Sequence, residues 1–393
     1  MRIVLLLSVL LLAACHAHEP SYTHEAYVWQ RQWDSALLAA VRTHTQRLAG
    51  LRVLGLEIAG ARNIEIAVDR AAIANTGLPV RLVVRIEGSR PPADAAEIAI
   101  QINGLVSSWR SAGIQLAGVE IDHDCASAAL GDYRRWLQQL KSSLIAPPAL
   151  SITALPTWIG APQLPALLAV VEQSVLQIHA VVRPDRALFD SAQTQLWARA
   201  YGEIAQHPYL LALPAYSIKV STDLDGQLHS VDAEGDIDRG GDSAHELHAD
   251  PELLAKLLQM LARDPPRGLA GYVWFRLPVS SDRRSLSAAS FAAVIDGAAL
   301  TAHFEVRPVA SDAGALELFL HNRGNLDATA PARIELPASC LIADGLSNYR
   351  LERLPRGLVL LASRNRRLRS GEAWRIAWAR CEPGLKGWTV NDP

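Results

Sequence analysis

Short apolar segments alternate with amphipathic segments along most of the chain, from residue 26 to residue 300. The apolar segments are rich in Val, Ile and Leu, which is typical of strands that are buried on both faces. Between them, apolar positions recur every three or four residues, which predicts helices with one buried face. We predict eight strands: Ala26–Gln30, Leu51–Ile58, Val80–Ile86, Leu116–Asp122, Leu150–Leu155, Val175–Val182, Leu210–Tyr216 and Leu269–Phe275.

Eight strand–helix units over about 270 residues match the count and size of a (β/α)8 TIM barrel. An open, doubly wound sheet is the alternative. Such a sheet more often carries a glycine-rich turn after its first strand, and this chain has none there. The pattern therefore predicts an α/β protein with a TIM barrel over residues 26–300. In that fold, functional side chains lie at the carboxyl ends of the strands.

The pattern changes at Thr301, where short apolar segments are separated by turns. About 90 residues of this kind predict a small β-sandwich domain over residues 301–393. Cys340 and Cys381 both lie there, and we predict that they form a disulfide if the protein is exported. We expect this domain to have a structural or binding role and no catalytic one.

The N-terminus has the pattern of a bacterial lipoprotein signal peptide. A positive start is followed by an apolar run, Ile3–Leu12, of about half the ~20 residues that a spanning helix needs. Leu12-Ala13-Ala14-Cys15 then matches a lipobox, which predicts cleavage before Cys15 and a lipid on that residue. An ordinary signal peptide with a coincidental cysteine is the alternative. Residues 16–25 would form a short linker.

This reading also predicts where the protein resides. His16 follows the lipidated cysteine where an Asp would favour the inner membrane, so we expect an envelope lipoprotein on the outer membrane that faces the periplasm. The lipid would be its only membrane contact, because no second segment is long and apolar enough to span a bilayer.

Composition narrows the possible partners. Half of the residues are hydrophobic and 20% are charged, so the chain can bury a large core. The formal net charge of -2 gives no reason to expect nucleic acid or an anionic surface as a partner. We expect no cofactor, and the sequence identifies no protein partner.

Cys125 is expected to be an inert thiol near a strand end, with a reactive nucleophile as the alternative.

Three acids on the fourth predicted strand are the densest candidate for chemistry. Side chains alternate along a strand, so Glu120, Asp122 and Asp124 share one face and the apolar Val119 and Ile121 share the other. The acids should therefore point into the barrel. Clustered carboxyl groups push their pKa values apart, which is one way to obtain a proton donor at neutral pH. An ion-pair network that only fills the barrel is the alternative.

A polar insert, residues 217–249, follows the seventh predicted strand. Its first part predicts a hairpin around Asp225-Gly226, which should rise over the functional end of the barrel. His229, His245, His248 and several acids make a calcium or zinc site the alternative to a solvated loop. The rest of an EF-hand loop and a helical pairing of the histidines are missing, so we predict no metal.

The segment Gly118–Asp124 resembles the fourth-strand signature of the family 18 chitinase-like glycosidases. The resemblance implies that Glu120 and Asp122 are supporting acids and that Asp124 stands in the position of the proton donor. Trp274 on the eighth predicted strand agrees with it, since those glycosidases carry a tryptophan there. The family has Glu where this chain has Asp124. The shorter side chain draws the carboxyl group back by about 1 Å, a displacement that can cost ~10²-fold in rate.

The chain more closely resembles an uncharacterised family of bacterial lipoproteins, the domain of unknown function 3142. The resemblance rests on Ile121–Cys125 with the following Tyr133–Leu137, on Ala26–Gln30 and on Glu234. It spans most of the predicted barrel and implies no known activity.

Further side chains at the predicted strand ends could bind a ligand. Aromatic faces stack on sugar rings, and polar groups form hydrogen bonds with sugar hydroxyls. As a set these residues therefore favour a carbohydrate ligand, although each of them could equally be a core residue. The candidates are Trp29, Glu57, Arg85, Trp158, His179, Tyr216, Glu234 and Trp274.

These features lead to three functional hypotheses. In the first, the protein hydrolyses a glycan: Asp124 protonates the leaving oxygen, Asp122 orients a substrate group or acts as the second carboxylate, and Glu120 maintains the protonation state of Asp122. In the second, the barrel is a non-catalytic scaffold for glycan binding or envelope assembly, since barrels host many functions. The third is a metal-dependent hydrolase, which would need histidines and acids to converge.

Overall fold

The structure is a computed structural model that describes residues 22–60, 62–91, 94–145, 149–179, 187–222, 228–232, 244–311, 314–355, 357–382 and 389–391. The strands up to residue 275 are β1 (Thr23–Val28), β2 (Gly50–Ala59), β3 (Arg62–Glu65), β4 (Val80–Ile86), β5 (Leu116–His123), β6 (Ala149–Ala154), β7 (Gln173–Gln177), β8 (Tyr209–Pro214), β9 (Ser217–Thr222), β10 (Leu228–Asp232), β11 (Ala244–His248) and β12 (Leu269–Phe275).

Eight of these strands close into a parallel barrel. Their order is β1, β2, β4, β5, β6, β7, β8 and β12, and β12 pairs with β1. Ala26 of β1 lies between Leu51 of β2 and Trp274 of β12 in the register. Because β1 pairs on both sides, the TIM barrel is confirmed and the open sheet is wrong. Since β3 is an antiparallel addition to β2, β5 is the fourth strand of the barrel.

Helices follow the barrel strands and cover the outside. Their bounds are α1 (Ser35–His44), α2 (Arg70–Ala74), α3 (Ala95–Ser111), α4 (Leu130–Ser143), α5 (Leu164–Leu168), α6 (Ser191–Ile204), α7 (Pro251–Arg263) and α8 (Ala288–Ile295). Aspartates begin several of them: the side chain of Asp34 accepts from the Leu37 N–H, and that of Asp250 accepts from Glu252 and Leu253. None of the described helices is both long and apolar enough to cross a membrane.

Alternation along the barrel strands separates two apolar clusters. A large cluster lies between the strands and the helices, and a smaller one lies inside the barrel around Tyr27, Trp29, Val83 and Val273. On β12, Val273 therefore points inward, while Trp274 points outward to the helices. This parity decides which side chains can reach the open end of the barrel.

The polar insert forms a small antiparallel sheet. Strand β9 follows β8 directly and pairs with both β10 and β11. The hairpin of β9 and β10 lies where the sequence predicted one, although its turn at Asp225-Gly226 lies outside the described residues.

The C-terminal part is a small antiparallel β domain with its own core, including Leu318, Leu320 and Leu360. Its strands are β13 (Phe304–Ala310), β14 (Leu316–Asn322), β15 (Ala328–Thr329), β16 (Arg333–Glu335), β17 (Cys340–Gly345), β18 (Tyr349–Leu354), β19 (Gly357–Ala362), β20 (Arg367–Leu368), β21 (Ala373–Cys381) and β22 (Thr389–Asn391). Two four-stranded sheets, β13-β14-β21-β17 and β18-β19-β16-β22, carry most of it. A disulfide joins Cys340 to Cys381 across β17 and β21. The division of the chain at residue 300 stays a prediction.

Candidate functional site

Side chains from seven barrel strands meet where those strands end, on the face that we call the mouth. The mouth is formed by Trp29, Glu57, Arg85, Asp124, Gln177, His179, Tyr216 and Phe275, which lie at or just beyond the ends of β1, β2, β4, β5, β7, β8 and β12. The register brings acids and bases together, since Arg85 lies directly between Glu57 of β2 and Asp122 of β5.

Strand β5 places its acids inside the barrel and its apolar residues outside. Val119 and Ile121 belong to the cluster under the helices. His123 shares their face and is buried against Tyr133, with its Nδ1 donating to the carbonyl of Ile86 at 3.2 Å. This bond ties the end of β5 to the end of β4, so the strands that carry Asp122 and Arg85 are held side by side.

Glu120 belongs to an ion-pair network below the mouth. It is fully buried and pairs with the equally buried Arg52, whose Nε donates to Glu25 at 2.7 Å. Glu120 also accepts from the Tyr27 hydroxyl at 2.6 Å and from the Ser151 hydroxyl at 3.1 Å. None of its hydrogen bonds reaches Asp122. The structure therefore places Glu120 in the barrel-filling network that was the alternative to a supporting acid.

Asp122 lies one step higher and has only 5% of its side chain exposed. It accepts from Arg85 Nη1 at 2.7 Å, from the Thr153 hydroxyl at 2.7 Å and from Gln177 Nε2 at 3.4 Å. Burial raises the pKa of Asp122 to about 6, although the neighbouring guanidinium opposes the rise. This carboxyl group therefore changes its protonation state near pH 6.

Asp124 is the acid that reaches solvent, with 38% of its side chain exposed. It accepts from the same Arg85 Nη1 at 3.0 Å and from Gln177 Nε2 at 3.5 Å. A single guanidinium nitrogen thus bridges two carboxylates, and we call Asp122, Arg85 and Asp124 the acid–arginine triad. The two acids raise the pKa of Arg85 above its ordinary value, so this cation persists.

Aromatic rings at the ends of β1, β7, β8 and β12 form a wall of the mouth. Phe275 lies 5.1 Å from Trp29 and stacks on His179 at 5.5 Å, centroid to centroid. The Tyr216 hydroxyl and His179 Nδ1 are 3.1 Å apart, and burial lowers the pKa of His179 to about 4, so its ring is neutral at pH 7. Sequence reasoning missed Phe275 and Gln177. The alternation that places Val273 inside the barrel could have identified Phe275, which is two residues further along β12.

Two predicted wall residues lie elsewhere. Trp158 is fully buried, and its indole N–H donates to the carbonyl of Cys125 at 2.9 Å. Trp274 is also fully buried, and its N–H donates to His24 Nδ1 at 3.0 Å. Both belong to the cluster under the helices. They are core residues, because their positions face away from the barrel interior.

The remaining predicted residues lie at the edge or beyond the described part. Glu57 is buried in a two-bond ion pair with Arg31, at 2.8 and 2.6 Å. Glu234 and Cys15 are outside the described residues. Burial raises the pKa of Cys125 to about 11, which agrees with an inert thiol.

Metal ligands do not converge within the described part of the chain, where no three His, Cys, Asp or Glu side chains form a group that could hold an ion. His248 has an acidic neighbour, Glu246 at 3.7 Å. The side chains of His229 and His245 lie outside what the structure describes.

Two family models match the chain. Residues 76–280, just over half of it, match the domain of unknown function 3142, and residues 305–382 match the domain of unknown function 8456. No curated protein matches this sequence.

Solved structures share the barrel at low sequence identity. The spore cortex-lytic enzyme SleL of Bacillus cereus is 13% identical, with a TM-score of 0.52 over 72% of this chain and 76% of that one. A chitinase from Bacteroides thetaiotaomicron is 10% identical, with a TM-score of 0.48 over 65% of this chain and 89% of that one. At this identity, the likeness to SleL establishes a common fold.

Proposed function

This chain belongs to the family of the domain of unknown function 3142, and we propose that its barrel binds a glycan at the mouth. The observation that carries the proposal is the meeting of the acid–arginine triad with the aromatic wall. Sugar rings present apolar faces and hydroxyl groups that both donate and accept, and such sites combine stacking rings with a few placed polar groups.

The polar groups of the mouth suit hydroxyl recognition. Asp124 offers half-exposed carboxylate oxygens, while Arg85 and Gln177 offer donors within the same cluster. Phe275 and His179 are partly exposed and provide ring surfaces, while the buried Trp29 packs against Phe275. The resemblance of the β5 segment to the signature of the family 18 chitinase-like glycosidases independently supports a carbohydrate as the ligand.

Binding to an array of envelope glycans and chitin-type oligosaccharides tests the proposal. We expect the purified full chain in mild detergent to bind at least one class. Asp124→Asn should weaken binding about tenfold or more, since a hydrogen bond to a charged group contributes about 1.5–3 kcal/mol. Asp132→Asn is a matched control, because Asp132 is also a half-exposed partner of an arginine but lies on α4. Failure to bind any glycan at millimolar concentration would overturn the proposal.

Hydrolysis of the bound glycan is the second candidate, and the spacing of the two acids favours it. Both carboxylates have an oxygen within 3.0 Å of Arg85 Nη1. Those oxygens are therefore at most about 6 Å apart, which is compatible with the ~5–5.5 Å of retaining glycosidases and below the ~6.5–9.5 Å of inverting ones. Asp124 would be the proton donor and Asp122 the second carboxylate.

Two substitutions of Asp124 test the hydrolase. If a cleavage activity is found, Asp124→Asn should reduce the rate by about 10²–10⁴-fold, the usual contribution of a general acid. Asp124→Glu restores the residue type of the chitinase-like enzymes and should retain activity if the backbone lies where theirs does. Cleavage that is unchanged in Asp124→Asn would exclude this mechanism.

We also propose that Cys15 carries a lipid that anchors the protein in the outer membrane, facing the periplasm. The apolar run and the lipobox support this. Cys15→Ser should abolish both incorporation of a labelled fatty acid and retention in the membrane fraction. A mutant that still carries labelled lipid would contradict the proposal.

A further inference from the structure

Arg85 has an unused hydrogen-bonding edge in the mouth. All of its hydrogen bonds to described residues come from Nη1, which reaches Asp122 and Asp124. In the described part of the chain, Nε and Nη2 have no hydrogen-bond partner, and a quarter of the side chain is exposed. These two nitrogens point away from Nη1 and form the side of the guanidinium that matches a carboxylate in two parallel bonds.

The triad fixes the orientation of this edge. Two carboxylates hold Nη1, and Asp122 is itself held by Thr153 and Gln177. A guanidinium restrained in this way loses little conformational freedom when it binds a planar partner. The arrangement resembles a binding group held by its neighbours, since Asp122 and Asp124 both contact the same guanidinium nitrogen.

Resting on the proposed glycan binding, we infer that the ligand is an acidic glycan whose carboxylate pairs with the Nε–Nη2 edge of Arg85. A uronic acid has the required planar group on a sugar ring. Neutral hydroxyls could also accept from this edge, but bonds between two charged groups are roughly twice as strong as neutral ones. A permanent cation that is largely withdrawn from water is costly to place, and it gains most from an anionic ligand.

The charge of the site has to accommodate that anion. Two carboxylates and one guanidinium carry one negative charge when both acids are ionised. Asp122 can take up a proton, because burial raises its pKa to about 6. The charged groups around it are Arg85 and Asp124, with His179 neutral beyond them. The nearby Tyr27 and Tyr133 hydroxyls are also neutral, because burial raises their pKa values well above the ordinary one. Binding of the carboxylate should therefore be accompanied by proton uptake, and affinity should rise as pH falls through 6.

Paired ligands separate charge from shape. The probes are oligosaccharides of glucuronic and galacturonic acid and the same oligosaccharides with each carboxyl reduced to an alcohol. We expect the full chain to bind the acidic member at least tenfold more tightly, which corresponds to about 1.4 kcal/mol. Arg85→Gln should remove this preference, and Arg85→Lys should retain only part of it, since lysine lacks the paired edge. Arg135→Gln, which breaks a surface salt bridge on α4, is the matched control and should keep the full preference.

A second variant serves as a control for misfolding. Arg85→Gln leaves the buried Asp122 without its cation, so Arg85→Gln with Asp122→Asn should also be measured, with thermal unfolding as the check on each protein. Equal affinity of the wild type for both members of every pair would overturn the acidic ligand and leave glycan binding intact. A preference that survives in the folded Arg85 variants would overturn the role of Arg85. No binding of any oligosaccharide would overturn both proposals.

Discussion

Substituting Glu120 distinguishes a structural ion pair from a member of the functional site. Glu120→Gln keeps the size of the side chain and removes its charge. In the structure both Glu120 and Arg52 are fully buried, and Glu120 also accepts from two hydroxyl groups. Breaking a buried pair by altering one partner costs about 3–5 kcal/mol. Arg52 would keep Glu25, which is partly exposed, so we expect a value near the lower limit, about 3 kcal/mol.

Thermal unfolding followed by circular dichroism can measure this loss. An unfolding entropy of about 2.1 cal/mol/K per residue over a barrel of about 270 residues converts 3 kcal/mol to a decrease of roughly 5 °C in Tm. Glu203→Gln is the control, because its salt bridge to Arg267 lies on the surface, and should change stability by less than about 1 kcal/mol. Replacing Arg52 and Glu120 together by Met and Leu should recover much of the loss, since apolar residues often substitute for buried pairs.

The same variant makes a prediction about function. Glu120 has no hydrogen bond to Asp122 in the structure, so the folded fraction of Glu120→Gln should bind the ligand of the mouth with unchanged affinity. A Tm within 1 °C of the wild type, or a loss of binding in fully folded protein, would contradict this reasoning. The loss of binding in particular would return Glu120 to the supporting role that the glycosidase resemblance implies.

Three further predictions concern single groups. Replacing Cys340 and Cys381 by Ser should destabilise the C-terminal domain by about 4 kcal/mol in urea unfolding, because the disulfide closes a long loop (sequence separation 41). Alkylation of both thiols in unreduced folded protein would exclude the disulfide. Cys125 should resist iodoacetamide at pH 8, since burial raises its pKa to about 11, and rapid labelling of native protein would be evidence against that burial. Burial raises the pKa of Asp122 from 3.8 to about 6. The protonated Asp122 side chain therefore stabilises the fold below pH 3.8, and this stabilisation is lost as pH rises through 6. The difference in unfolding free energy between wild type and Asp122→Asn should change with pH in this way, and a difference that does not depend on pH would refute the prediction.

The sequence predicted the barrel because strands buried on both faces leave a strong pattern. The predicted Val80–Ile86 and Leu269–Phe275 agree with β4 and β12 residue by residue. Strand β3 was missed, because all four residues of Arg62–Glu65 are exposed and carry no apolar pattern. Its pairing with β2 depends on backbone hydrogen bonds, which the side chains do not report.

The sequence predicted the position of the acids in the candidate site but did not predict which arginines they would contact. Alternation alone placed Glu120 and Asp122 inside the barrel. Which base each would meet depends on the register of β2, β4 and β5, so Arg52 and Arg85 could not be assigned to them beforehand. Trp274 was wrongly predicted to line the mouth. Neighbouring residues on a strand face opposite sides of the sheet, and the resemblance to glycosidases did not show that Trp274 faces the helices.

Strand β1 starts at Thr23 and runs toward the mouth, as do the other parallel strands of the barrel. A lipid on Cys15 would therefore be joined to the end of the barrel opposite the triad. Residues 16–22 can extend over at most about 25 Å, so such a tether would keep the base of the barrel within that distance of the bilayer. The mouth, at the far end of the strands, would then open into the aqueous layer beyond the lipid headgroups.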